Sequence, residues 1–295
     1  MAYERLIYEN SSGGTVELSP YSIYHTNVKS DVKGLSDVAA EVHTVSSIGQ
    51  DGSDYVNSYI KQREITITGY IHNLSRSEGG ELRRELDRIL NPHLTGYLHY
   101  IHDDYERVIE CHPENAPVWD QSKVLPKYTI DLICPNPFWS SLGTSNSATI
   151  VGWDPQWEFE IKIIENNFVF GNRIQHQNVD VVNDSDVSCG MEVRFIADTG
   201  PVTNPVLQCV TTGEFIRVNT TLQTGDVLQV KTGYGQKSAV IRRGSNSINV
   251  FRYLDPDSSF IQLPPGTTRF NADATSGLTT NLLLYLIWSN AYLGV

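Results

Sequence analysis

The sequence predicts a mainly β protein of two domains with a single clear α-helix. Three observations carry this: stretches of strict period-two hydrophobicity occur in both halves, only one segment shows a helical apolar stripe, and a Pro-rich and then Ser/Gly/Asn-rich junction divides the chain near its middle. With 295 residues the chain is long enough to bury a core in each half without disulfides. Hydrophobic residues make up 40% and charged residues 19%, proportions of a folded chain and not of a disordered one.

Taken in order, residues 26–59 form a long polar stretch containing Ser46-Ser47-Ile48-Gly49-Gln50-Asp51-Gly52-Ser53. A stretch this long without a pattern is uncommon inside a compact domain, so the expectation is an extended arm that reaches another subunit. Arg63–Ile71 then alternates cleanly, with Ile65, Ile67 and Ile71 on one face and Thr66, Thr68 and Tyr70 on the other, as a half-buried strand does. The helix is expected over about 76–90, where Leu82, Leu86, Ile89 and Leu90 make one stripe. Ser75-Arg76-Ser77-Glu78 reads as its capping box, and Asn91-Pro92 ends it. Strands are expected at Gly96–Ile101, Arg107–Cys111 and Tyr128–Cys134.

Pro135-Asn136-Pro137-Phe138-Trp139 closes the first domain, placed at 1–139, and 140–147 reads as a linker. The second domain, 148–295, carries expected strands at Glu158–Ile164, Met191–Phe195, Phe215–Val218, Val227–Lys231, Ser238–Arg242 and Leu282–Trp288. Turn signals at Asn183-Asp184, Thr212-Gly213, Thr224-Gly225 and Pro265-Gly266 separate them, which is the rhythm of a β-sandwich.

The net charge is −12, and residues 1–140 account for −8 of it (12 Lys+Arg against 20 Asp+Glu). Such a chain, with no basic run, does not grip nucleic acid through counterion release. Cys111, Cys134, Cys189 and Cys209 have no C-x-x-C spacing and sit among strand residues, so buried free thiols are expected and a zinc site is not. No signal peptide is visible at the N-terminus, and the longest strongly apolar run, Leu282–Trp288, is too short to span a bilayer.

Chemistry-bearing clusters are few. His99 and His102 stand three apart on an expected strand and so face opposite sides, which makes them hairpin histidines before metal ligands. Asp184/Asp186 and Asp255/Asp257 lie in turn sequences, where carboxylates bond local backbone. No nucleophile elbow, P-loop, zinc-protease or dinucleotide fingerprint is present. No catalytic residue, metal or cofactor is therefore assigned. Trp153, Trp157 and Trp288 are candidate carbohydrate-stacking residues if their rings are exposed, and core residues if they are not.

Several stretches in order resemble the phage distal tail protein (Dit) family, also described as siphophage tail component proteins. They are Arg63–Ile71; the helix into Leu86–Leu90 with Asn91-Pro92 and Gly96-Tyr97-Leu98; and Ile130–Cys134 running into Pro135–Trp139. Asn204-Pro205 with Thr212–Asn219, Gly225–Thr232, Ser258–Gly266, and Trp288 with Tyr292–Val295 follow. The resemblance implies an N-terminal β-sandwich with a helix, a hairpin and a belt-like arm, and a C-terminal galectin- or carbohydrate-module-like β-sandwich on the periphery. It implies a non-enzymatic homohexameric ring at the distal tail tip of a virion, made in the bacterial host cytoplasm, for which it favours a Gram-positive host. The ring would join the tail tube protein to the tail-associated hub or tip protein, carry receptor-binding or baseplate proteins at its edge, and let genome DNA pass without specific binding or membrane insertion. The alternative is a carbohydrate-binding module that contributes to host cell-wall recognition; a wall-lytic enzyme is disfavoured by the missing motifs.

Overall fold

The computed structural model describes residues 4–71, 76–120, 126–142, 145–155, 171–175 and 178–295. The chain divides into two compact units, residues 1–143 with Tyr292–Val295, and Thr144–Ala291. The closing four residues thus belong to the first unit, whereas the sequence reading assigned them to the second domain.

The first unit holds β1 (Arg5–Asn10), β2 (Thr15–Ser19), β3 (Tyr24–His25), α1 (Val28–Asp31), β4 (Val32–Lys33), β5 (Ala40–Val45), β6 (Asp54–Ile60) and β7 (Arg63–Ile71). It continues with α2 (Arg76–Ile89), β8 (Gly96–His102), β9 (Tyr105–Pro113), β10 (Val118–Asp120), β11 (Lys127–Cys134) and β12 (Trp139–Ser141). This unit is built on one sheet that closes on itself as a barrel. Its strands run β10-β11-β7-β3-β2-β1-β8-β9-β12, with β4 beside β7, and β11 also pairs with β9. Closure lies at Leu132↔Pro113 and Ile133↔His112.

Inward alternation fills the barrel. Ile65, Ile67, Ile130 and Leu132 are buried beside Leu6, Tyr8, Leu98 and Trp139, as the period-two pattern requires. Two glycines make room for two buried phenols. Gly69 is the register partner of Tyr128, and a Cβ there would lie 2.4 Å from both the Tyr128 hydroxyl and the His25 carbonyl oxygen. A Cβ at Gly96 would lie 2.3 Å from the Tyr8 hydroxyl. Cys111 and Cys134 are buried free thiols in the same core, and the Cys111 thiol is pushed up by the neighbouring Cys134 and by burial.

Helix α2 packs as its stripe foretells, with Leu86, Ile89 and Leu90 buried. Asn10 Nδ2 donates to the Ile89 carbonyl at 2.9 Å and Tyr24 Oη to the Leu82 carbonyl at 2.9 Å. Trp119 Nε1 donates to Asp87 at 3.0 Å. The Ser75 of the expected capping box lies outside the described residues.

The second unit contains β13 (Asn146–Pro155), β14 (Gly171–Gln175), β15 (Val179–Asn183), β16 (Met191–Ala197), β17 (Val202–Cys209), β18 (Phe215–Arg217) and β19 (Thr221–Leu222). β20 (Val227–Lys231), β21 (Ser238–Arg243), β22 (Asn246–Asn249), β23 (Gly266–Ser276) and β24 (Leu282–Trp288) complete it. One sheet runs β14-β13-β24-β16-β20-β21-β22 and the other β15-β23-β17-β18, with β19 on β17. Val193, Phe195, Leu284 and Leu286 of the first sheet share one core with Val181, Leu207 and Phe270 of the second. The expected strand at Glu158–Ile164 lies outside the described residues.

One ion pair staples β20 to β21. Asp226 is buried, and Arg243 donates to both of its oxygens, Nε at 2.8 Å and Nη2 at 2.6 Å. The Arg243 guanidinium holds the Asp226 carboxyl below its ordinary range.

Two predictions follow from this packing. Gly69→Ala should destabilise the first unit by about 1–3 kcal/mol through overpacking. Gly79→Ala, in α2 with open space around it, should stabilise it by up to about 1 kcal/mol; urea titration of both variants separates the two outcomes. Because folding lowers the Asp226 pKa, its stabilisation is present above the unfolded value, about 3.9, and is lost as pH falls through the lowered folded value. Melting of the second unit should therefore drop from about pH 4 downward, and Asp226→Asn should flatten that drop in a pH series of thermal melts.

Candidate assembly surface

The polar stretch at 26–59 is structured. It begins with α1, whose Asn27 side chain caps it by accepting from Lys29 N–H at 3.2 Å, passes through β4, and then leaves the barrel as the antiparallel pair β5–β6. This pair is a sheet of its own. A lone two-stranded hairpin is marginal in water, and this one has little else to lean on: nearly every residue of both strands is exposed.

The register divides its side chains into two unlike faces. Directly opposed residues share a face, and the pairs Ala40/Ile60, Val42/Ser58 and Thr44/Tyr55 make one. That face carries no charge. The opposite face has Glu41/Tyr59, His43/Asn57 and Val45/Asp54. A bulge between His43 and Thr44 leaves Val56 as the extra residue and turns Tyr55 onto the uncharged face, where its hydroxyl meets Ser58 Oγ at 2.9 Å. On the charged face, Lys61 binds Glu41 at 2.9 Å and holds its carboxyl below the ordinary range, and His43 stacks on Tyr59 with centroids 5.5 Å apart. Val42 is 56% exposed, Tyr55 64% and Ile48, in the loop between the strands, fully so. Gly49 and Gly52 supply the positive φ angles, both +85°, that the loop needs. An array of exposed apolar side chains on such a strand pair makes it a candidate protein-binding surface.

The other sequence candidates resolve differently. Trp288 is 6% exposed and belongs to the sandwich core, so it presents no ring face to a sugar; its place at the buried end of β24 decides this. Trp153 lies on β13 opposite Arg173, and Trp157 lies outside the described residues. His99 sits between Glu9 (3.9 Å) and Glu106 (3.2 Å), while His102 stacks on Tyr105. No group of three or more metal-ligating side chains gathers among the described residues. Asp255 bonds Asp257 N–H at 3.1 Å within its own turn and pairs with Arg217 at 3.6 Å. In the Asn183–Asp186 turn Asn183 and Ser185 are the buried residues, Asn183 donating to the Leu263 carbonyl at 2.9 Å and accepting from Ser185. A shallow pocket of about 260 Å³ in the second unit, walled by Ile216, Phe251, Leu254 and Phe260, was not foreseen. Phe251 and Phe260 stack on each other there, and the Ser258 hydroxyl on its rim is used by the Arg217 backbone. No described helix is long and apolar enough to cross a membrane.

A closed barrel bearing an exposed two-stranded arm, and a two-sheet unit, define a β-rich protein of two units. Family comparison agrees. Residues 16–134 match the phage tail protein RIFT-related domain, and residues 184–285 match the C-terminal domain of siphovirus-type tail components. The chain belongs to the siphophage distal tail protein family, and its place is the virion tail. Among solved structures it is similar to the SPP1 Dit (gp 19.1) protein, described as a paradigm of hub adsorption apparatus in Gram-positive infecting phages. Identity there is 14%, coverage 97% of this chain and 98% of that one, and the TM-score 0.67. The phage p2 baseplate structure in its activated conformation with Sr aligns at 10% identity, 98% coverage of both chains and TM-score 0.47. Comparison with curated protein sequences gives no match.

In the isolated protein the amides of β5–β6 should exchange with solvent far faster than those of β7 and β11, because the hairpin lacks a core of its own. Hydrogen-exchange mass spectrometry measures this directly; equal protection would show that the hairpin is not an open surface.

Proposed function

We propose that this chain acts without catalysis as the ring-forming adaptor of a siphophage tail tip. Six copies close into a ring between the tail tube above and the hub below. The observation that carries this reading is the hairpin. Its uncharged face bearing Val42, Tyr55 and Ile60 is self-consistent only when something covers it, and the occupant we assign is the neighbouring copy. A contact between an arm on one copy and a different patch on the next is heterologous, and such contacts close into rings when the rotation allows. The arm adds interface without enlarging the fold. The central hole would continue the DNA conduit, and the acidity of the first half (12 Lys+Arg against 20 Asp+Glu in residues 1–140) would keep DNA from adhering.

Six chains of 33.0 kDa should give a particle of about 200 kDa by light scattering, seen in negative stain as rings with a central hole. Val42→Ser with Tyr55→Ser should shift that mass towards the monomer and leave the melting of both units unchanged, since neither side chain touches a core. A wild-type chain that stays monomeric with its tube and hub partners present would overturn the ring reading.

A further inference from the structure

The two legs of the arm meet at one buried side chain. Arg63, the first residue of β7 and three positions past the end of β6, is only 2% exposed. It has no carboxylate within ion-pairing distance among the described residues. Its guanidinium instead fans across backbone carbonyls from three separate segments. Nη1 donates to Gly34 O at 2.6 Å, Leu35 O at 2.9 Å and Asp37 O at 3.2 Å, all on the ascending leg. Nε donates to Pro137 O at 2.8 Å, and Nη2 donates to Leu293 O. Arg63 itself stands on the descending leg, so one side chain ties both legs together at the barrel wall.

The closing segment completes the tie. Arg107 lies 3.9 Å over the Tyr292 ring and donates to Gly294 O. Ser36 Oγ donates to Val295 O at 3.3 Å. A Cβ at Gly294 would come within 3.0 Å of Ser36 Cα, so the segment lies directly on the ascending leg. Trp139 Nε1 adds a second donor to Leu35 O at 3.0 Å. At the start of this leg Gly34 has a φ of +86°, and a Cβ on it would lie 2.0 Å from Glu64 O. Lys61 N–H closes the base of the hairpin on Ala39 O at 2.8 Å.

We infer that Arg63 is the positioning residue of the arm. With Tyr292–Val295 it forms a clamp that fixes where, and in which direction, the hairpin leaves the barrel. The inference rests on the ring reading for its consequence, because an arm must arrive at a neighbour in one orientation for six identical contacts to close. The bonds of the clamp exist within one chain and are measurable without any ring. Lysine cannot replace the fan, since one ammonium lacks the planar fork and reach of a guanidinium.

The test uses the full chain with Arg63→Lys and Arg107→Ala, read by hydrogen exchange of the Lys61 amide, which donates to Ala39 O at the base of the hairpin, and by light scattering. Both variants should raise exchange of the Lys61 amide by about tenfold or more, with β1, β8 and β16 still protected, and should lower the fraction of ring. If Arg63→Lys unfolds the barrel, shown by loss of β1 and β8 protection, Arg107→Ala alone decides. Unchanged exchange of the Lys61 amide in the folded variants overturns the clamp. A loosened root with the ring retained overturns its part in assembly. A wild-type chain that forms no ring even with its tube and hub partners present overturns the ring reading alone, and the clamp is then judged on exchange.

Discussion

The first unit turns on a buried cation. A guanidinium taken out of water must recover its hydrogen bonds from the protein, or its burial is prohibitively unfavourable. Arg63 recovers them from peptide carbonyls at positions 34, 35, 37, 137 and 293. Those carbonyls belong to segments without regular ladders, whose acceptors also need donors. The requirement is therefore mutual: the arm root, the end of the barrel and the closing segment are each satisfied by the same side chain. Burial lowers the Arg63 pKa, but from so high a starting value that the cation persists.

Around that point, the barrel solves two packing problems. Closing the sheet through β9 and β11 pairs the long barrel strands on both sides and leaves short strands such as β10 at the edge, which limits the open backbone that would otherwise template further pairing. Setting glycines against Tyr8 and Tyr128 lets large aromatics fill the interior without pushing strands apart. The hairpin is built by the opposite rule. Its apolar residues point away from any core of its own unit, and its outer edges are unpaired. The same chain thus contains one β element whose contacts are complete and one whose contacts must come from outside.

Much of this was legible. The alternation in Arg63–Ile71 and Tyr128–Cys134 named two barrel strands and the faces they bury, because a half-buried strand exposes every second residue. The Leu86, Ile89 and Leu90 stripe named the helix face. The arm at 26–59 was marked by the lack of a core pattern, yet its hairpin was missed. The signal was present in Val42, Val45, Tyr55 and Tyr59 flanking Gly49-Gln50-Asp51-Gly52, but a bulge at Val56 breaks the alternation, and neither face is buried in this chain. Trp288 shows the reverse case: an aromatic offered for sugar binding proves to be core, since its exposure depends on which sheet face β24 turns inward.

Sequence by itself determined the mainly β class, the helix, the free thiols and the absence of familiar catalytic motifs, because these follow from local periodicity, spacing and residue chemistry. Tertiary structure alone decided the closure of the barrel, the two unlike faces of the hairpin, the return of Tyr292–Val295 to the first unit and the role of Arg63. Each of these depends on which distant segments meet. A guanidinium that binds main-chain carbonyls leaves no complementary side chain to find, since every residue presents the same carbonyl; only the fold says which ones come within reach.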